Sequence, residues 1–269
     1  GSERRDRTRA APLALSDPMS AMPSPGQPPP TIDVASDVVS PWGYIGKRRL
    51  AAALARLARQ HGDVDFQVSW HPFQLNPDLP AGGVDRRQYL EDKFGGPERA
   101  AEIYARVREA GTGVGIPFAF ERIERQPNTL DAHRLVSWAQ QRGPADALIE
   151  ALFRAYFLDG RYLGDRATLT AIAGEAGFDA EAARAMLAGD EGIENVRALD
   201  ARVRHLALDA VDLRANLAGD VARNEVVELV DARELAHVRV QLHQRGVEVR
   251  LPRLVELDRR LVHARARTQ

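Results

Sequence analysis

Residues 31–70 carry the pattern that most restricts the fold. The stretch "TIDVASDVV" (31–39) is a short apolar strand, and residues 44–60 place Ile45, Leu50, Leu54 and Leu57 at helical spacing. In "VDFQVSW" (64–70), Val64, Phe66, Val68 and Trp70 face one way and Asp65, Gln67 and Ser69 the other, as a pleated strand requires. A strand, a helix and a second strand in this order predict a parallel pair joined by a right-handed crossover.

The pattern changes after "HPFQLNPDLPAGG". From about residue 85 to 245 it is mostly helical, punctuated by Gly and Pro: "YLEDKFG", "AAEIYARVREAG", "DAHRLVSWAQQRG", "PADALIEALFRAYFLDG" and "DRATLTAIAGEAG". The chain closes on "PRLVEL" (252–257) and "RLVHARA" (260–266), which read as a hairpin around Asp258-Arg259. Sheet, helices, sheet is the order of an α/β fold carrying a helical insertion. The expected organisation is a Pro-rich disordered tail over 1–30 and a first core segment over 31–77. A helical insertion follows over 78–246, and a closing hairpin over 247–269. Gly1-Ser2 reads as a cloning scar, and the tail reads poorly as a signal peptide.

A repeat lies inside the insertion. "FDAEAARAMLAGD" (178–190) and "LDAVDLRANLAGD" (208–220) agree at eight of thirteen positions. Asp179 and Asp209 are placed to cap helices, and Gly189 and Gly219 to end them. The reading favoured is a duplicated helical unit, 178–207 and 208–237.

Composition removes several function classes. The 269 residues carry a formal net charge of −1, so no basic field points to nucleic acid or an anionic membrane surface. No apolar run approaches the roughly 18 residues of a membrane span. There is no cysteine, which excludes disulfides, thiolate metal sites and dithiol chemistry of the chain's own. The histidines show no zinc-ligand spacing. The expected location is the cytoplasm.

"SDVVSPWGYIGKRRL", "WHPFQLNPDLP", "YLEDKFG", "GIPFAFERIERQPNTLDAHRL" and "YFLDGRYLGD" occur in order between residues 36 and 165. In that order they resemble the DsbA-like thioredoxin-fold proteins of the FrnE subgroup, in register over roughly 31–200. The resemblance implies a thioredoxin-like core interrupted by a helical domain. It also implies an active-site C-x-x-C at the start of the first core helix, and here those positions are Ser40 and Gly43. The family's cis-proline is matched best by Pro252, and the family's last helix after the hairpin has no counterpart before Gln269.

The loop "SPWGY" also resembles that of the kappa-class glutathione transferases and the 2-hydroxychromene-2-carboxylate isomerases, where the serine hydrogen-bonds the sulfur of glutathione. By that resemblance Ser40 is the catalytic hydroxyl. Pro41, Trp42, Gly43, Tyr44, Leu251 and Pro252 border a substrate or thiol site, and His133 faces it if the helical domain closes over the core. The local sequence shows no His-Asp pair to activate Ser40 as a nucleophile. Lys47, Arg48 and Arg49 read more readily as a solvated helix face than as an anion trap. Asn128 or Thr129 caps the helix that carries His133.

Two functions remain open. The first is a non-redox enzyme, an isomerase, cyclase or thiol-dependent transferase, acting on a small aromatic or polyketide-like molecule in natural-product metabolism. Glutathione or another low-molecular-weight thiol is its cofactor, or it has none. The second is a redox-dead DsbA-like binding or assembly module. A homodimer is compatible with either.

Overall fold

The computed structural model describes residues 31–61, 66–216 and 240–243, which belong to one compact unit. Strand β1 (Thr31–Ser36) leads through Asp37–Ser40 into helix α1 (Pro41–His61), and β2 (Gln67–Pro72) returns parallel to β1 with Val34 opposite Trp70. This is the expected βαβ unit. Its helix begins where the chemistry puts it, with a serine at the cap and a proline at the first helical position, where a missing N–H is harmless.

A two-residue strand β3 (Val84–Asp85) pairs antiparallel with β4 (Arg125–Gln126). Between them run α2 (Arg86–Phe94) and α3 (Pro97–Thr112). Asp85 caps α2 through the Gln88 N–H, and Gly95 ends it at φ 79, a left-handed geometry suited to glycine. Helices α4 (Leu130–Gln140), α5 (Asp146–Phe157), α6 (Arg166–Glu175), α7 (Ala180–Ala188) and α8 (Ile193–Asn216) follow. The core joins Ile32, Val34 and Trp70 of the sheet to Leu135 and Val136 of α4 and Leu148, Ile149, Leu152, Phe153, Tyr156 and Phe157 of α5.

The exposed edge of β2 is closed by a side chain. The Trp70 N–H donates to Gln140 Oε1 at 2.7 Å, and Gln140 Nε2 donates to the Trp70 carbonyl at 2.9 Å. One amide of α4 thus supplies the donor and acceptor that a further strand would have offered.

Two expectations change. Strand β5 (Val240–His243) pairs antiparallel with β1 on the side away from β2, although residues 240–243 fall inside the range expected to be helical insertion. The sheet is therefore rejoined before residue 246. The repeat also does not keep one conformation. Asp179 caps α7 through the Glu181 and Ala182 N–H groups, whereas Asp209 lies within α8, so matching residues begin a helix in one copy and continue one in the other. The closing hairpin, Leu251 and Pro252 lie outside the described residues.

Candidate functional site

The turn from β1 into α1 is held by backbone and side chain together. The Ser40 N–H donates to the Asp37 carbonyl at 3.0 Å, and the Ser40 carbonyl accepts the Tyr44 N–H at 3.1 Å. Ser40 Oγ accepts the Gly43 N–H at 3.0 Å, and the residue is 0 % exposed. Ser40, expected to present its hydroxyl to a ligand, is instead a buried N-cap. Gly43 is buried too. A Cβ placed on it would collide with Ser36 Oγ and stand 3.2 Å from Ser40 Cβ, so Ser36 fills the space that a side chain at 43 needs.

The neighbours of this loop are also engaged. Pro41 and Trp42 are half-buried, with Trp42 packed on the core. Tyr44 is fully buried, stacks on Phe153 at 4.9 Å and donates its hydroxyl to Glu150 Oε1 at 2.8 Å. Burial chiefly holds its phenol above the ordinary tyrosine pKa, and the Arg48 hydrogen bond opposes this. The basic run is not a solvated face. Lys47 is 5 % exposed and bridges Asp146 (3.0 Å) and Glu150 (3.1 Å), while Arg48 pairs with Glu150 at 2.5 Å. These pairs tie α1 to α5, and they leave Lys47 and Arg48 committed within the fold.

The His-Asp pair absent from the local sequence forms in three dimensions. His133 Nε2 and Asp37 Oδ1 lie 3.3 Å apart, with side chains 4 % and 1 % exposed. Asp37 Oδ2 is fixed by the Leu75 N–H at 2.7 Å and the Thr129 hydroxyl at 3.3 Å. Nε2 and Oδ1 themselves are not aligned as a hydrogen bond, and neither has another partner among the described residues. They border a cavity of about 10 Å³, lined also by Ser36, Ser137, Val136 and Phe153.

Helix α4 carries His133 one turn past its start, as expected, and the start is secured by Asn128 Oδ1 accepting the Leu130 N–H. Asn128 Nδ2 also donates to the Leu79 carbonyl, and Gln74 Nε2 donates to Asn128 Oδ1, so the loop after β2 is anchored beside Asp37. Between this loop and α2 runs an open groove of about 550 Å³ with Asn76, Leu79, Val84, Tyr89 and Lys93 on its walls. Tyr89 donates to Asn76 Oδ1 and accepts from Lys93.

A second buried charge escaped the sequence reading. Arg86 donates to Gln126 Oε1 (2.5 Å), Tyr156 OH (2.8 Å) and Tyr104 OH (2.9 Å), all of them neutral groups. Burial pushes the Tyr156 phenol well up, against the pull of this guanidinium. Among the described residues no group of three or more His, Cys, Asp or Glu is placed to hold a metal ion, and no helix is long and apolar enough to cross a membrane.

Comparisons with known proteins agree with this geometry. The DSBA-like thioredoxin domain matches residues 31–209. The uncharacterized protein YwbO of Bacillus subtilis (strain 168) is 24% identical over 148 residues, 55% of this chain and 66% of that protein, just under two thirds of its length. The crystal structure of a probable DsbA oxidoreductase from Streptomyces coelicolor superposes with a TM-score of 0.58 at 23% identity, covering 81% of this chain and all of that one. That likeness shows the fold. A 2-hydroxychromene-2-carboxylate isomerase is also similar, at a TM-score of 0.44 and 16% identity over 64% of this chain and 78% of that one, too distant to argue from.

Proposed function

The chain belongs to the DSBA-like thioredoxin domain family, and from that premise we propose that it is a non-redox enzyme whose working groups are Asp37 and His133. Dithiol exchange is out of reach of a chain without cysteine. Isomerisation or ring closure of a small aromatic or polyketide-like molecule needs only a base to remove a proton and an acid to return it. It leaves no net change of oxidation state. A buried imidazole paired with a carboxylate suits that work, since the carboxylate stabilises the imidazolium when the proton arrives. The observation that carries the reading is the Asp37–His133 pair, with Nε2 and Oδ1 both unpartnered beside a cavity. The groove along α2 falls in the range of roughly 300–1,000 Å³ that small ligands occupy. It is one residue from Leu75, whose N–H holds Asp37.

Ser40 has no catalytic part in this reading, because its oxygen already caps α1. Glutathione or a related thiol, if used, would bind elsewhere along the inherited site. One observation favours the alternative of a binding or assembly module without catalysis, namely the complete burial of Ser40.

The test is a turnover screen with hydroxylated aromatic keto acids and poly-β-ketone mimics, with and without glutathione. It compares the parent with His133→Gln and Ser40→Ala. Loss of about a hundredfold in His133→Gln with Ser40→Ala near the parent supports the enzyme, since general acid–base catalysis contributes roughly 10²–10⁴-fold. Saturable binding with no turnover of any compound favours the module.

A further inference from the structure

We infer that Asp37, His133 and Ser36 hold a single water molecule, which relays protons between the His133 imidazole and the hydroxyls beneath α1. Its catalytic role rests on the reading above, whereas the water and the relay can be observed without it. A carboxylate oxygen and an imidazole nitrogen, both removed from solvent, sit 3.3 Å apart without the alignment of a hydrogen bond. Leaving such groups unpaired costs about 1–3 kcal/mol each. The rest of the wall supplies little help. Val38, Trp70, Val136, Ile149 and Phe153 are apolar, and Ser36 and Ser137 are the neutral polar residues among them. The cavity has room for about one water, and a water needs two to four polar partners, which these side chains provide.

The same dimensions decide how His133 can act. A cavity of about 10 Å³ admits no carbon-bearing ligand, so a substrate proton reaches Nε2 only through the water. Ser36 gives the relay a direction. It borders the cavity, its one protein hydrogen bond is a long one to the Asp37 carbonyl at 3.4 Å, and its Oγ fills the space under Gly43. That space is 3.4 Å from Ser40 Oγ, at the N-terminus of α1. In the relay the water gives one proton to His133 Nε2 and takes one from Ser36 Oγ, which is reprotonated from the α1 side. Only O–H and N–H bonds form and break, and no oxidant or reductant takes part.

Two measurements on the full chain test this. The first is a high-resolution crystal structure together with water–protein NMR cross-relaxation. An ordered water within about 2.7–3.2 Å of Asp37 Oδ1 and His133 Nε2 is expected, and a dry cavity with the two atoms hydrogen-bonded directly would overturn the inference. The second follows exchange of the His133 ring proton with solvent by ¹⁵N NMR in the parent and in Ser36→Ala. A severalfold slower exchange in Ser36→Ala is expected, with the amide spectrum otherwise kept, and an unchanged rate overturns the relay. Neither readout uses turnover. A bound water in a protein inactive on every compound keeps this inference and sinks the functional reading. Turnover in a protein with a dry cavity does the reverse.

Discussion

The N-terminus of α1 and the end of β1 lie a few residues apart and differ in one respect. At Ser40 the N–H, the carbonyl and the side-chain oxygen all have partners within the turn. At Asp37 and His133 two buried polar atoms face each other unpaired. The inherited site of a redox family has been absorbed into the fold here, and the unsatisfied chemistry sits one turn away. The buried arginines repeat the contrast. Arg134 is fully engaged, donating to Asp131 and to the carbonyls of Met186, Gly189 and Glu191, and so closes the end of α7 against α4. Arg86 has three neutral side-chain partners and a buried Nε without one. Buried polar groups are almost always paired, so the exceptions are where function is most usefully sought.

The largest effect is expected at Asp37. Asp37→Ala leaves the Leu75 N–H and the Thr129 hydroxyl without their acceptor and His133 without its charge partner. A loss of about 3 kcal/mol is expected by urea unfolding. A loss below that of Ser40→Ala would reverse the ranking of the two regions. Ser40→Ala removes one cap and should lower stability by about 1 kcal/mol. It should leave glutathione affinity unchanged by calorimetry. A clear weakening of thiol binding would return Ser40 to the role that the sequence resemblance gave it.

Much of this was legible beforehand, and what was not has a physical reason. The β1–α1–β2 unit follows from periodicities of 2 and 3.6, which are local, and so does the end of α2 at Gly95. The Asp37–His133 pair depends on α4 folding back onto the end of β1, which no local pattern encodes. The one available signal was an Asp three residues before Ser40, and it reads as an ordinary turn residue. Lys47 looked solvated because its partners Asp146 and Glu150 come from α5, far along the chain. The repeat misled for the opposite reason. Identical residues at Asp179 and Asp209 share a propensity to cap, and the preceding helical run decides whether that propensity is used.

A smaller effect separates packing from hydrogen bonding under α1. Gly43→Ala alone puts a methyl group against Ser36 Oγ, and the helix propensity gained over glycine, up to about 1 kcal/mol, is offset by that collision. In a Ser36→Ala background the collision is gone and the gain should appear. The double-mutant cycle should show a coupling of about 0.5–1 kcal/mol favouring the pair. Additive single effects would mean that the Ser36 hydroxyl rotates away freely, which would also weaken its place in the relay.

The smallest effect compares two caps. Asp165 caps α6, accepting the Thr168 hydroxyl and N–H at 2.8 Å each, but it is exposed where Ser40 is buried. The Thr168 hydroxyl first, and then its N–H, hold the Asp165 carboxyl below the ordinary aspartate value. A group with a lowered folded-state pKa contributes stability that is present above its unfolded pKa, about 3.9, and lost as the pH falls through the folded value. Asparagine caps nearly as well and does not titrate. Asp165→Asn should therefore match the parent at pH 7 and show a shallower loss of stability between about pH 4 and pH 2. Ser40→Ala should shift the whole curve down without changing its slope. If both variants change the acid slope alike, the Ser40 turn is coupled to a titrating group, and the carboxylate nearest to it is Asp37, whose carbonyl already receives the Ser40 N–H.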